Sequence, residues 1–268
     1  MTWNTSNMLA SVVVPAGSST GIAGTHTYKY DALGRRVRKT TTGTGASDTV
    51  YIHEGQRVYA EYTSGQPFNN PLRKYTYAAY IDEPVLLIDR TAAGAVAAGT
   101  DERFYYHRNQ QYSITALTDN TGSVVERYAY TAYGAPTILD GPGTTTRTSS
   151  FIGNPYLYTA RAYDAESALY YFRNRMYEGR KGRFLSHDPI EYPDGENTYA
   201  GGFAVYQVDP DGLAINGNEC RRYFPQPMPE PGKLEGKDYL KIAAGWPGLE
   251  ALRKARTRGI RGVRRNDA

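Results

Sequence analysis

The chain has 268 residues, with 31 Lys and Arg against 27 Asp and Glu, 40% hydrophobic and 22% charged side chains. That balance suits a folded, soluble chain of one large β domain or two smaller units, and it excludes a strongly polybasic or polyacidic protein. Cys220 is the single cysteine, so an intrachain disulfide is excluded, and no apolar run is long enough to span a bilayer.

Tyrosine is the unusual residue, with 25 copies against 7 Phe and 2 Trp. Its ring suits a pleated, half-buried surface, and its hydroxyl needs a partner or water. Such a chain builds sheets, not a dry Leu/Ile core. The opening Met1-Thr-Trp-Asn-Thr-Ser lacks a basic stretch followed by an apolar one. No signal peptide is expected, which leaves a cytoplasmic chain or one exported by another route.

In chain order, residues 1–24 read as irregular, with a strand at Leu9 to Val14. Thr25 to Tyr30 alternates, Asp31-Ala-Leu-Gly34 turns, and Arg35 to Thr40 returns. Asp at the first position of such a turn bonds the backbone ahead of it, and Gly at the fourth takes positive φ. The same grammar recurs in Thr49–Ile52 and Arg57–Tyr62 around His53-Glu-Gly-Gln, and in Ser113–Thr118 and Ser123–Tyr130 around Asp119-Asn-Thr-Gly122. Short strands are predicted at Arg73–Tyr80, Val85–Ile88 and Glu102–Tyr106. Gly141–Ser150 reads as a loop, and Tyr156–Tyr158, Leu169–Arg173 and Arg175–Tyr177 as further strands. Tyr106 to Gln111 lacks the turn glycine, so a looser loop is expected there. Strands joined by hairpins throughout argue for an antiparallel sheet built by internal repetition.

These residues resemble a known family. Tyr30-Asp31-x-x-Gly34-Arg35 resembles the YD repeat of RHS-repeat proteins. Tyr80-Ile-Asp82-Glu83-Pro84 and Leu117 through Gly134 resemble successive blocks of the RHS core. Tyr158-Thr-Ala-Arg161 through Tyr177, then Gly182-Arg183-Phe184-Leu185-Ser186-x-Asp188-Pro189, is similar to the RHS repeat-associated core signature. The resemblance runs from about residue 25 to 213, and its most specific part is the series ending at Gly182, Arg183 and Phe184. It implies a mainly β fold: an antiparallel YD-repeat strip closed by an RHS core cap, as in polymorphic toxins, Tc-toxin C components and teneurins. In that family the strips spiral into a hollow shell several hundred residues longer than this chain, so a fragment of a longer parent is expected. The implied division is 1–140 for the strip, 141–213 for the core and 214–268 for a variable tail.

The resemblance also implies self-cleavage. In the bacterial toxins the core cuts the chain after an Asp-Pro-x-Gly-Leu element and frees a C-terminal effector. Carried over, Asp188 and Asp209 become the catalytic pair, and the cut falls between Leu213 and Ala214. Two carboxylates sharing a site separate their proton affinities, so that one polarises the carbonyl while the other activates water. The alternative is two unrelated Asp-Pro turns, since Asp and Pro are common turn formers. His187 stands where the family has Arg, and 191–195 and 201–207 depart from the usual Gly-rich and Asn-Asn-Pro steps. Arg grips a carboxylate bidentately and stays charged, whereas His does neither reliably at neutral pH.

No cofactor is expected. His26, His53, His107 and His187 lack metal-ligand spacing, Cys220 has no evident base, and the glycines sit in turns and not in a phosphate loop. Residues 214–268 hold twelve basic and six acidic side chains, against nineteen and twenty-one in residues 1–213. The positive excess therefore belongs entirely to the tail. Ala214–Gly232 reads as a Pro-rich linker, and Lys237–Ala244 and Pro247–Arg258 as two short helices, the second opening on a Pro at its first turn. Expected partners are other YD-repeat chains or a delivery complex, with an acidic partner or nucleic acid for the tail.

Overall fold

The computed structural model describes residues 1–19, 21–43, 45–67, 69–91, 101–189, 196–201, 209 and 212–213. The expected tail helices and the 191–195 step lie outside these residues. Met1–Ile215 is one compact unit, and every element below belongs to it.

Thirteen strands form one antiparallel strip in strict sequence order, each bonded to the next. They are β1 (Thr2–Trp3), β2 (Leu9–Val14), β3 (Gly24–Tyr30), β4 (Arg36–Thr41), β5 (Ser47–Glu54), β6 (Arg57–Thr63) and β7 (Arg73–Tyr77). Then come β8 (Pro84–Asp89), β9 (Glu102–Arg108), β10 (Ile114–Thr118), β11 (Val124–Tyr130), β12 (Pro136–Asp140) and β13 (Thr146–Arg147). Four more strands, β14 (Ala162–Asp164), β15 (Leu169–Phe172), β16 (Arg175–Glu178) and β17 (Arg183–Phe184), make a second antiparallel sheet, which we call the cap.

One turn is used again and again. Asp31 Oδ1 accepts the amides of Leu33 and Arg35, both at 2.9 Å, and Gly34 closes the turn at φ 76°. Asp119 Oδ1 does the same for Thr121 and Ser123, with Gly122 at φ 84°. The looser loop expected after Tyr106 is not there. Strand β9 continues to Arg108, and Asn109 Oδ1 accepts the amides of Gln111 at 2.9 Å and Ser113 at 3.0 Å. Tyr112 takes φ 61° in place of glycine. An Asn carbonyl oxygen caps this turn as an Asp carboxylate does, so the turn survives both replacements.

Three other expectations change. Strand β7 stops at Tyr77 and not Tyr80, because the Arg57 guanidinium takes the carbonyls of Ala78, Ala79 and Tyr80 at 3.0–3.1 Å. Pro136–Asp140 and Thr146–Arg147 are strands, the second inside the expected loop. Tyr156–Tyr158 is not a strand. Tyr156 makes one bridge to Ala162, and the chain then enters a tight helical turn at Tyr158–Ala160, with Thr159 and Ala160 at φ 47° and 52°.

The cap packs on one face of the strip. Tyr75, Leu87, Phe104, Leu117, Tyr128 and Ile138 from the strip share a core with Leu157, Tyr170, Phe172, Tyr177 and Phe184. Leu9, Val12, Val14 and Tyr28 form a second core with Leu169 and Met176. Full burial of one such side chain contributes about 1.5–3 kcal/mol. The tyrosine hydroxyls go to carbonyl oxygens: Tyr170 to Gly134 at 2.7 Å, Tyr177 to Tyr133 at 2.9 Å, Tyr130 to Ile114 at 2.6 Å. Burial pushes Tyr75, Tyr156 and Tyr170 up, so each stays a protonated donor. Gly134 must be glycine. It has φ 87°, and a Cβ there would overlap the Tyr158 ring.

Buried ion pairs join the layers. Arg36 meets Asp164 at 2.5 Å, and Lys39 meets Asp164 at 3.1 Å and Glu166 at 2.9 Å. The Arg36 guanidinium also lies 4.5 Å from the Tyr171 ring centre. Asp82 of the strip takes both Arg161 and Arg173 of the cap region. Burial alone would raise the Asp164 carboxyl, but Arg36 and Lys39 outweigh it and hold it below the usual range.

Two outcomes follow from these contacts. Asp164→Asn strands two buried cations and should cost about 3–5 kcal/mol at pH 7 in urea unfolding. Because the folded carboxyl is depressed, its stabilisation is complete above about pH 4 and is lost as pH falls through the folded value, so the gap between variant and wild type should close in acid. Ala168, at φ 57°, follows the Asp164 turn in the left-handed region. Ala168→Gly should raise the urea midpoint by an amount worth about 1 kcal/mol, whereas Gly134→Ala should lower it by about 2 kcal/mol or more.

Candidate functional site

The carboxylates of Asp188 and Asp209 are both buried, and they meet at one arginine. Arg175 Nη1 lies 2.9 Å from Asp188 Oδ2, and its Nη2 lies 3.5 Å from Asp209 Oδ2. Nη1 also donates to the Thr198 carbonyl at 3.2 Å, and Nε donates to the Gly212 carbonyl. The guanidinium lies on the Phe184 ring, 3.6 Å from its centre. Its side chain is 2% exposed, so all of these charges stand away from water.

Each part has a local cause. Arg175 opens β16 across from Phe172, and alternation puts it two positions before the buried Tyr177. Phe184 is completely buried and meets Phe172 and Tyr177 edge-on at 5.5 and 5.4 Å. Gly182 turns into β17 at φ 66°, and a Cβ there would crowd the Tyr133 ring. Arg183 is exposed and pairs with Glu178 across the ladder. Of the core signature, then, Gly182 makes the turn, Phe184 makes the floor under Arg175, and Arg183 faces outward.

Asp188 is held by its backbone as well, since its amide donates to Thr198 O at 3.2 Å. His187 is exposed. Its Nδ1 bonds the Asp188 carbonyl at 2.9 Å and its ring meets Tyr199 edge-on, so it addresses the backbone and not the carboxylates.

The turn at Asp209 follows the pattern of the strip. Asp209 Oδ1 accepts the Leu213 amide at 3.0 Å, four positions on, and Gly212 sits at φ 67°. These are the contacts of Asp31 with Arg35 and Gly34. A side chain at Gly212 would also run into the Phe172 backbone. Leu213 is buried at 4% exposure. The Gly212–Leu213 peptide is thus gripped from both sides, its carbonyl by Arg175 and its N–H by Asp209. Ala214 lies outside the described residues, as does Cys220.

Sequence reasoning put the two acids together but missed Arg175. A signal was present: an arginine inside the run Leu169-Tyr-Tyr-Phe-Arg-Asn-Arg-Met-Tyr177 has to be buried, and a buried guanidinium needs acids. Among the described residues no group of His, Cys, Asp and Glu has the arrangement of a metal site. His26 bonds the Ile22 carbonyl in the loop before β3, and His53 and His107 bond the Arg36 carbonyl and the Thr118 hydroxyl of neighbouring strands. No helix among the described residues is long and apolar enough to cross a membrane.

No family model matches the chain. Individual proteins do. The chain is 34% identical over 192 residues to the tRNA nuclease WapA of Bacillus subtilis strain 168, covering 69% of this chain and 7% of that protein. It is 29% identical over 207 residues to the double-stranded DNA deaminase toxin A of Burkholderia cenocepacia, covering 70% and 14%. It is 27% identical over 229 residues to the toxin subunit YenC1 of Yersinia entomophaga, covering 80% and 22%. The chain therefore spans a small part of the relatives it matches. Among solved structures, the TcdB2–TccC3 crystal structure superposes with a TM-score of 0.61 at 21% identity, over 79% of this chain and 10% of that one. The strip of consecutive hairpins, the cap seated on its tyrosine face and these relatives together establish that the chain belongs to the RHS-repeat, or YD-repeat, family.

Proposed function

We propose that this chain is the closing part of an RHS scaffold and that it presents the residues after Leu213 as a variable C-terminal segment of a toxin-like delivery system. Residues 1–140 then serve as strip, 141–213 as core, and 214–268 as the presented piece. The observation that carries this reading is the seating of Leu213. Its side chain is buried, its amide is capped by Asp209, and the preceding carbonyl is held by Arg175. The compact unit ends two residues later, at Ile215. Charge changes sign at the same place, from a slight acidic excess to twelve basic residues against six acidic ones. The relatives support the reading too, because their names give different activities, a tRNA nuclease and a DNA deaminase toxin, to proteins that match this one stretch. A Tc-type complex is the partner class suggested by the fold neighbours. Exchange of 214–268 for an unrelated segment should leave the thermal midpoint of the scaffold unchanged, and a collapse of the β spectrum would overturn the division.

A second reading is self-cleavage after Leu213 by Asp188 and Asp209. It is favoured by the convergence of two acids, 21 positions apart, on one buried guanidinium beside the Gly212–Leu213 peptide. In this reaction one carboxylate takes a proton from water and the water oxygen bonds to the Leu213 carbonyl carbon. The Leu213–Ala214 C–N bond breaks, and the nitrogen leaves with a proton as a free amine. The other aspartate starts protonated: it donates its proton to the carbonyl oxygen as charge develops there and takes it back when the new carboxyl forms, while the proton taken from water passes to the leaving nitrogen.

The alternative, a turn and nothing more, can be separated cleanly. Asn109 already caps the same turn in this chain, so Asp209→Asn keeps the cap and removes only the ionisable oxygen. A chain tagged at both ends should release about 6 kDa of its 29.7 kDa by intact mass, and Asp188→Asn and Asp209→Asn should both stop the release while staying folded. A wild-type chain that stays whole removes the enzyme and leaves the scaffold.

A further inference from the structure

We propose that the face of the strip turned away from the cap is a docking surface for a single-stranded polynucleotide, held at its phosphates by lysine and arginine side chains and at a base by Tyr105. This surface is separate from the Leu213 boundary, and the proposal stands or falls independently of cleavage.

The strip sorts its charges between its two faces. Successive side chains of a strand point to opposite sides. Glu61, Asp89 and Glu126 are buried on the cap side, and Glu102 stands across the ladder from Asp89. The side chains one step along point the other way. They are Lys29 beside buried Tyr28, Lys74 between Arg73 and buried Tyr75, Arg103 beside buried Phe104, and Arg127 between buried Glu126 and Tyr128. Arg38 joins them, directly opposite Lys29. Glu54 closes a hairpin end, so within the ladders from β3 to β11 Asp48 is the one acid on this face, and Arg38 holds it. The cations also keep company across strands. Lys29 faces Arg38, and Lys74 and Arg103 stand on either side of Ile88. Like charges in neighbouring registers repel. Lys29, Lys74 and Arg103 make no ion pair with the described residues, so this repulsion is relieved by an anion from outside.

The kind of anion follows from how the cations are spread. Strands β3 to β11 lie about 4.8 Å apart, so the basic face runs for about 38 Å. Each strand of a sheet is turned by about 20–25° from its neighbour. A flat bilayer or a straight duplex cannot meet the Lys29 end and the Arg127 end together, whereas a flexible strand follows the turn. An acidic peptide is flexible as well, but Tyr105 favours a base. Tyr105 lies two positions from Arg103 on the same face and is 41% exposed. Its neighbours in register are Leu86 and Thr118, and its ring meets no other ring among the described residues. An open ring beside a cation suits a base stacked next to its own phosphate, and such stacking accepts any base.

The test uses the full chain and a fluorescein-labelled DNA single strand of mixed sequence, with anisotropy read over a range of salt. Lys29→Glu, Lys74→Glu and Arg103→Glu combined should keep the thermal midpoint, since none of the three is in the core. The slope of log affinity against log salt should fall by about 2, at about 0.7 per lost phosphate contact. Tyr105→Ala should weaken binding about 10-fold and leave that slope unchanged. The basic tail is a competing site within the same chain, so the contact is also located directly. Wild type is photocrosslinked to a strand carrying 5-bromouracil and the modified peptide is identified by mass spectrometry; the expected peptide contains Tyr105. Crosslinks confined to residues 214–268 overturn the proposal, as does a triple variant with the wild-type slope. Two further results overturn the choice of partner: vesicles of phosphatidylserine that bind as tightly and lose binding in the same variant, or polyglutamate that displaces the strand as well as unlabelled DNA does at equal charge.

Discussion

A tyrosine-rich face is buried only if every hydroxyl and every charge on it finds a partner, and the structure is organised by that requirement. The strip offers an inner row of Tyr51, Glu61, Arg73 and Asp89 in direct register across β5 to β8, a row no apolar layer would accept. Its answers are internal and external. Glu61 takes Tyr75 at 2.8 Å and Arg73 at 3.3 Å, while Arg73 also reaches Asp89. The cap supplies the rest, with Asp164 for Arg36 and Lys39, and Arg161 and Arg173 for Asp82. Removing any one member leaves a buried charge unanswered, which costs more than the pair contributes. The cap is therefore placed by polar matching as much as by its aromatic core. Between the two layers a hollow of about 470 Å³ remains, lined by groups such as His53, Tyr77, Tyr156 and Arg173.

The second organising device is a five-residue turn. A side-chain oxygen at its first position accepts the amides of its third and fifth residues, and the fourth residue takes positive φ. Asp31 and Asp119 make it with glycine, and Asn109 makes it with Tyr112. Thr131 makes a shortened version, accepting the Ala135 amide at 3.0 Å, with Gly134 at φ 87°. At Asp209 the fifth-residue bond and the positive φ of Gly212 are both present. The boundary element is thus built from the same turn as the scaffold. What distinguishes it is its setting: it lies against the cap, under a guanidinium, and not at the rim of a sheet.

Hairpin by hairpin, much of the strip was readable. Leu9–Val14, the strands about Asp31 and those about Asp119 agree with their expected limits to within a residue or two, because alternation and turn chemistry act over a few residues. The errors share a cause. Tyr106–Gln111 was read as loose because the rule asked for Gly, whereas the Asn109 oxygen carries the turn. Tyr156–Tyr158 looks like a strand by residue type, but Ile114 N–H takes the Leu157 carbonyl at 3.0 Å and Ser113 Oγ accepts the Thr159 amide at 2.9 Å, and these partners lie more than forty residues away. Pro136–Asp140 is a strand that the sequence reading does not include; the N–H missing at its opening proline falls at the end of the ladder with Tyr130.

By itself the sequence determined the kind of protein: tyrosine-lined hairpins in series, a core signature at Gly182 to Phe184, and a basic segment after Leu213. Those features depend on residue type and on neighbours a few positions apart, which is the range over which alternation, turn chemistry and charge counting work. Only the tertiary structure decided what the two aspartates face. Arg175 reaches Asp209 across 34 positions and Gly212 across 37, where the chain returns to the guanidinium that lies on the Phe184 ring. Distance along the chain carries no information about such a meeting. It is selected by the cost of burying a guanidinium without carboxylates, and that cost is felt only once the chain has closed on itself.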